Sequence, residues 1–241
     1  MQSVRELLGC CVGGVSMQLI VIKNPLVLPG IDGAEQRQTM AVSRTRWVNT
    51  HGLSLYSLAF VCLLLAPWSE LSMQIFSMDR AGLEQGEYWR FWSGQLVHLS
   101  WAHLLLNLVG LAVLQQLFGE ELATRSWLLA FVVLSLFIGL CWYWAPAVTW
   151  LPADGYAYVV GISALLHGLF MYAACLAFRR DGLLAMGAML VIGAKVIWEQ
   201  FAGPSTMTAD LIGMPVATGV HLYGFVGGIL LGLLVMWSRR T

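Results

Sequence analysis

Six apolar stretches, each near the length of a bilayer-crossing helix, carry a few polar side chains that hydrocarbon tolerates only at a cost. They run over about 51–67, 89–118, 126–145, 156–178, 183–202 and 216–237, and a spanning helix takes about 20 residues. Of 241 residues, 59% are hydrophobic and only 11% charged, where a soluble domain has about 25% charged. The mean hydropathy is +0.73. The pattern predicts an all-α polytopic membrane protein with the lipid bilayer as its solvent. The formal net charge is zero, so there is no electrostatic reason to expect a nucleic-acid partner.

The ends and connections sort by charge. Residues 1–46 mix a short apolar run, Val12 to Ile22, with Pro25, Pro29 and a polar stretch to Arg46. That run is short for a bilayer, so a flexible N-terminal extension is expected there, with Met40 an alternative start that would make residues 1–39 an artefact. Arg44, Arg46, Arg125, Arg179, Arg180, Arg239 and Arg240 flank one set of loops; the opposite set carries Arg80 and Arg90. The excess of positive charge places both termini in the cytoplasm. Trp68, Trp89, Trp92, Trp127 and Trp150, near span ends, suit an aromatic belt. The connection 69–88 is amphipathic and is expected to form interfacial helices.

This topology makes the second, fourth and sixth spans run from outside to inside. His103 and Asn107 fall in the first half of the second span, Ser163 in the first half of the fourth, and His221 in the first turns of the sixth. All four share the outer half of the membrane, which argues for one site reached from outside. Ionisable groups inside a membrane mark function more often than stability.

Those residue types fit a nucleophilic hydrolase. A serine hydroxyl becomes a nucleophile when a base takes its proton, and histidine is the usual base. Ser163 and His221 are far apart in sequence, so their helices must pack closely. Gly224 and Gly228 supply a small-residue face on the sixth span, and Gly161 and Gly168 thin the fourth. Attack on an amide creates an oxyanion that needs donors. His103 and Asn107, four apart, share a helix face, and the Ser163 amide can join them if a helix begins there. Sequence places no acid beside His221: Asp210 is the nearest, and a loop is expected around it. A serine–histidine dyad is the economical reading.

Each residue also has a plainer role. A lone serine in a membrane helix commonly bonds its own helix, and Gly-x-x-x-Gly by itself signals helix packing. His98 reads as an interfacial or structural hydrogen-bonder. Lys195 and Glu199, four apart on one face of the fifth span, read as a buried ion pair; substrate recognition or a polar link to the active site is the functional alternative. Cys10, Cys11, Cys62, Cys141 and Cys175 form no Cys-x-x-Cys and read as small hydrophobes. Nothing in these patterns calls for a metal or a cofactor.

Taken together, the motifs resemble a known family. Tyr88-Trp89-Arg90-Phe91-Trp92 followed by His98-x4-His103-x3-Asn107, then Gly161-x-Ser163, then His221-x-x-Gly224-x-x-x-Gly228, resemble the rhomboid intramembrane proteases over about residues 50–240. The resemblance implies a six-transmembrane-helix rhomboid fold across a 47–241 protease domain. It also implies Ser163 as nucleophile, His221 as base, and an oxyanion hole of His103, Asn107 and the Ser163 amide. The segment 68–90 would be a first loop lying partly in the membrane. Two positions depart from the family pattern. Ala164 replaces a glycine, and His167 stands where many rhomboids have a tyrosine that packs on the histidine. His167 can stack in that tyrosine's place or compete as a base. Ser163-x3-His167-Gly168, Ala194-Lys195-x3-Glu199-Gln200 and His221-Leu222-Tyr223-Gly224 resemble the rhombosortase subgroup. That implies a bacterial inner-membrane enzyme whose site opens to the periplasm. Its substrates would be secreted proteins anchored by a C-terminal tail with a glycine-rich motif, an apolar helix and a basic end.

Three other classes remain to be separated. A general rhomboid protease would cleave single-span proteins without that tail. A non-catalytic relative that binds membrane helices would lack Ser163 or His221, and both are present. A transporter would line both leaflets with charge, whereas these polar residues gather in one.

Overall fold

The computed structural model describes residues 53–122, 124–147 and 155–239. The expected N-terminal extension, 1–46, and Trp150 lie outside these residues. Ten α-helices appear among the described residues: α1 Leu53–Leu65, α2 Ser69–Phe76, α3 Arg80–Glu84, α4 Arg90–Ser93, α5 Trp101–Phe118, α6 Thr124–Trp144, α7 Ser163–Ala177, α8 Gly182–Ala202, α9 Thr206–Ile212 and α10 Gly219–Ser238. Six of them, α1, α5, α6, α7, α8 and α10, answer in order to the six expected spans. Residues 101–118, 126–144, 182–202 and 219–238 are each long and apolar enough to cross a membrane alone.

The central helix is α7. Almost every side chain from Ala164 to Ala177 is buried, whichever way it points, as befits a helix apolar all round and enclosed by others. Its 15 residues fall short of the expected 156–178 span. The residues before Ser163 instead form a short strand and a turn, apolar because they too are buried: Val159, Val160 and Ile162 sit in the core. By contrast α8 turns Leu183, Leu190, Val191, Ile197, Trp198 and Phe201 outward, an apolar face suited to lipid. Trp127 is buried against Phe131 rather than standing in an aromatic belt. Trp68 and Trp89 are exposed as the belt requires.

Close backbone packing joins α7 to α10. A methyl group built on Gly224 would land on the Ala164 carbonyl oxygen, and one on Gly228 would land on the Gly168 carbonyl oxygen. Further down, Gly232 meets Cys175. Glycine lets helix backbones touch, which leaf-like side chains would prevent. One buried polar group within this core is satisfied locally: the Tyr172 hydroxyl pairs with Ser126 Oγ at 2.7 Å.

The 69–88 connection is helical in part, as expected, and it is stapled to the bundle. Arg90 is buried, and its guanidinium reaches Asp79 (2.9 Å), Glu87, the Ser77 carbonyl (2.8 Å) and the Gln74 carbonyl (3.0 Å). Arg80 donates to the carbonyls of Tyr143 (2.6 Å) and Trp142 (2.9 Å). These are last-turn carbonyls of α6, which lack intrahelical partners, and a cation there also complements the helix dipole. So the two arginines of the sparsely charged side are structural fastenings.

A two-stranded antiparallel ladder then fixes the approach to α7. Strand β1, Met78–Asp79, pairs with β2, Tyr158–Val159, in the register Met78 to Val159 and Asp79 to Tyr158. The Gly161 amide adds a bond to the Gly94 carbonyl at 3.0 Å. At the other end of the bundle, Arg180 pairs with Glu120 and Glu121 at 2.8 Å each. That contact ties the turn after α5 to the turn after α7, as alternating up-and-down helices require.

Candidate active site

The first turns of three helices meet at one end of the bundle. Helix α5 starts behind Ser100, whose hydroxyl caps the helix by accepting from the His103 amide at 3.2 Å. The same hydroxyl donates to the Ile212 carbonyl (3.1 Å) at the end of α9. Ser163 is the first residue of α7, and His221 the third of α10. The residues that loop charges place together therefore do lie at one end of the bundle, with Ser163 at a helix N-terminus rather than inside a longer span.

Ser163 Oγ lies 3.0 Å from His221 Nε2. His221 is buried and Ser163 half-buried. The other ring nitrogen, Nδ1, lies 2.8 Å from Glu199 Oε2. This corrects the expectation that no acid stands beside His221. Asp210, the nearest acid in sequence, is exposed, and it lies on α9 rather than in a loop. The acid comes instead from α8, 22 residues before the histidine.

The contacts continue until they close on themselves. Glu199 Oε1 receives Lys195 Nζ at 2.6 Å, and Lys195 Nζ lies 3.1 Å from His167 Nε2. His167 Nδ1 lies 2.7 Å from the carbonyl oxygen of Ser163 itself. Hydrogen-bond inventory then fixes both imidazoles. An ammonium only donates, so His167 Nε2 accepts and its Nδ1 carries the proton given to the Ser163 carbonyl. A carboxylate only accepts, so His221 Nδ1 carries a proton, and in the neutral ring Nε2 keeps a lone pair facing the serine hydroxyl. The two rings stack, with centroids 4.4 Å apart and planes 20° from parallel. Of the two expected roles for His167, stacking on His221 is the one its contacts allow, because its acceptor nitrogen faces Lys195 and not Ser163. Lys195 and Glu199 do form their ion pair, and it is also a polar link to the site.

Two more side chains face the serine from α5. His103 and Asn107 are both buried. Neither His103 Nδ1 nor Asn107 Nδ2 has a hydrogen-bond partner among the described residues. Buried polar atoms are ordinarily satisfied, and the exceptions call for an explanation. Gly161 lets them come close. Its φ is +94°, and a Cβ there would stand 2.6 Å from the His103 ring and 3.4 Å from Asn107 Nδ2. Both the backbone conformation and the space thus demand glycine. The Ser163 amide, at the helix start, has no intrahelical acceptor. His98 is buried and edge-on to His103, with ring centroids 5.0 Å apart. Its ring also interacts with the Leu96 carbonyl, in keeping with a structural hydrogen-bonder.

Two cavities open onto Ser163. One, of about 110 Å³, runs below Tyr156–Val160 and Met214–Val220. The other, of about 340 Å³, lies between α5 and α8, walled by Leu106, Leu166, Ile192 and Trp198, with Lys195 and Glu199 on its side. An extended peptide entering them meets a hydroxyl, a base holding a free lone pair, and buried donors. That is the equipment of acyl transfer. His167, Glu199 and His221 also offer three ligand atoms within 4.8 Å of one another. Lys195 already supplies the cation for that cluster, so the set does not fit a metal ion without dismantling it.

Comparison with known proteins agrees with this architecture. The rhomboid domain matches residues 85–238, well over half of the chain. Rhomboid protease GlpG of Pectobacterium atrosepticum is 28% identical over 159 residues, which is 66% of this chain and 52% of that protein. The chain thus spans about half the length of the curated relative it matches. With helices, glycine seam and polar cluster in the order that the domain match covers, the chain belongs to the rhomboid family.

Proposed function

We propose that this chain is an intramembrane serine endopeptidase of the rhombosortase type, with residues 47–241 as its protease domain. It works in the bacterial inner membrane, termini in the cytoplasm and site open to the periplasm. The observation that carries the reading is the 3.0 Å contact between Ser163 Oγ and His221 Nε2, beside the buried Asn107 amide, whose Nδ2 has no partner among the described residues. Family membership supports the reaction class. The subgroup rests on His167, Lys195 and Glu199, which the sequence motifs single out and which surround His221.

The reaction proceeds in two halves. A substrate's membrane helix unwinds near glycine, which weakens a helix by about 1 kcal/mol relative to alanine, and a peptide carbonyl reaches Ser163. His221 Nε2 takes the Ser163 proton as Oγ bonds to the carbonyl carbon. The carbonyl oxygen becomes an oxyanion, held by His103, Asn107 and the Ser163 amide. Collapse breaks the C–N bond, and the His221 proton leaves with the amine. Water then attacks the acyl-enzyme, giving a proton to His221, and the carboxylic acid departs as Ser163 regains its hydrogen. Every group needed is a side chain or backbone amide of this chain.

The test is cleavage by purified protein in detergent of two single-span substrates, one with a glycine-rich, basic-ended C-terminal tail and one without. The expected result is cleavage within the glycine-rich segment of the tailed substrate, abolished by Ser163→Ala and by His221→Ala. Full activity in either variant would falsify the serine–histidine chemistry. Equal cleavage of both substrates would favour a general rhomboid protease, the activity in the name of the Pectobacterium relative.

A further inference from the structure

We propose that Glu199 completes a serine–histidine–glutamate triad, as a positioning residue that acts through His221. The proposal rests on the protease reading above. Glu199 fixes the His221 tautomer and faces the positive charge the ring acquires when it takes the Ser163 proton. Lys195 and His167 brace the carboxylate and the ring from the far side.

The geometry separates this role from that of a simple ion pair. A carboxylate that existed to neutralise Lys195 could turn both oxygens to the ammonium. Glu199 divides them instead: Oε1 goes to Lys195 at 2.6 Å and Oε2 to His221 at 2.8 Å. Burial runs the same way. The Glu199 side chain is 9% exposed and the Lys195 side chain 46%. The lysine, open to the cavity, needs the carboxylate less than the carboxylate needs the lysine. An ionised carboxylate inside a membrane requires a counter-charge, and i, i+4 spacing on α8 supplies one without a further helix.

The brace is as specific as the carboxylate. His167 stacks on the His221 ring, and its two nitrogens are tied to Lys195 and to the Ser163 carbonyl. Rotation of His221 away from Ser163 would break its bond to Glu199 and unstack it from His167 together. Charges balance through the reaction. At rest the Lys195–Glu199 pair is neutral; after proton transfer, the imidazolium lies between Glu199 and the oxyanion. In a medium of low dielectric constant such paired charges are far cheaper than separated ones.

The test uses the full chain in detergent and a serine-directed fluorophosphonate. Ser163 Oγ bonds to phosphorus, fluoride leaves, and His221 takes the proton. The maximal labelling rate and the half-saturating probe concentration are measured separately. Glu199→Gln should lower the maximal rate by about 10⁴-fold, the loss seen when such an acid is neutralised elsewhere, with half-saturation unchanged. Glu199→Asp should recover part of the rate. The double variant Lys195→Met with Glu199→Gln carries no unpaired charge; it should stay slow. Recovery of the wild-type rate in that double variant would reduce the pair to a structural one, as would an unchanged rate in folded Glu199→Gln. If Glu199→Gln fails to fold, the double and aspartate variants decide by the same criteria. Wild-type protein that resists labelling at Ser163 would instead overturn the protease reading.

Discussion

At the scale of single residues, the structure divides those that sequence reveals from those it hides. Ser163, His221, His103 and Asn107 are legible because each is a polar side chain in an apolar stretch, and their depths agree under one topology. Glu199 hides for a physical reason. It already has a partner four residues away, so its spacing describes a self-contained pair. Its second oxygen is the missed signal: a buried carboxylate accepts more than one donor, and a helix-borne lysine occupies one side. Asn107 allows the sharpest prediction at this scale. Its buried Nδ2 has no partner among the described residues, so its removal should cost the resting protein little and the oxyanion much. Asn107→Ala is expected to lower kcat about 10²- to 10³-fold, with KM nearly unchanged and the unfolding midpoint retained. Steady-state cleavage of a tailed substrate in detergent checks it. A loss confined to KM would move Asn107 from the transition state to ground-state binding.

At the scale of elements, hydropathy places six of the ten helices in order and misplaces their ends. The 156–178 stretch is apolar throughout, yet only 163–177 is helical. A buried extended segment and a buried helix are equally apolar, so hydropathy cannot divide them. The boundary is set by the β1–β2 ladder and the positive φ of Gly161, and the ladder pairs segments about 80 residues apart. Glycine content is a better guide to helix packing, because Gly224 and Gly228 do lie on the α7 seam. A contrast within the chain tests the cause. Gly228→Ala drives a methyl into the Gly168 backbone, whereas a methyl at Gly187 meets nothing within 4 Å. Gly228→Ala should destabilise by about 1–3 kcal/mol and cut cleavage further by prising His221 from Ser163. Gly187→Ala, in the interior of α8, should hold or raise stability by up to about 1 kcal/mol. Thermal unfolding and activity in the same detergent check both. Equal effects at the two sites would reject close backbone packing as the reason for Gly228.

For the molecule as a whole, fastenings at opposite ends of the bundle define two faces. On one lie Arg80 at the end of α6, the β1–β2 ladder, and the first turns of α5, α7 and α10. On the other, Arg180 is tied to Glu120 and Glu121. The arginines differ in kind between the faces. Arg80 and Arg90 are spent on carbonyls and carboxylates that hold the fold, whereas Arg179 is exposed and free to act as a topological signal. Counting only arginines without such structural duties strengthens the charge asymmetry, because none is left on the site face among the described residues. On the reading proposed above, the positive-inside rule turns that face to the periplasm. Tyr88, exposed on the site face, and Arg179 are the positions to probe. With the five native cysteines replaced by alanine, Tyr88→Cys should react with a membrane-impermeant maleimide in intact spheroplasts. Arg179→Cys should react only after the membrane is permeabilised. The reverse pattern would turn the active site to the cytoplasm, where a protein already exported could not reach it. Cleavage of secreted proteins would then be excluded even with Ser163 and His221 fully competent.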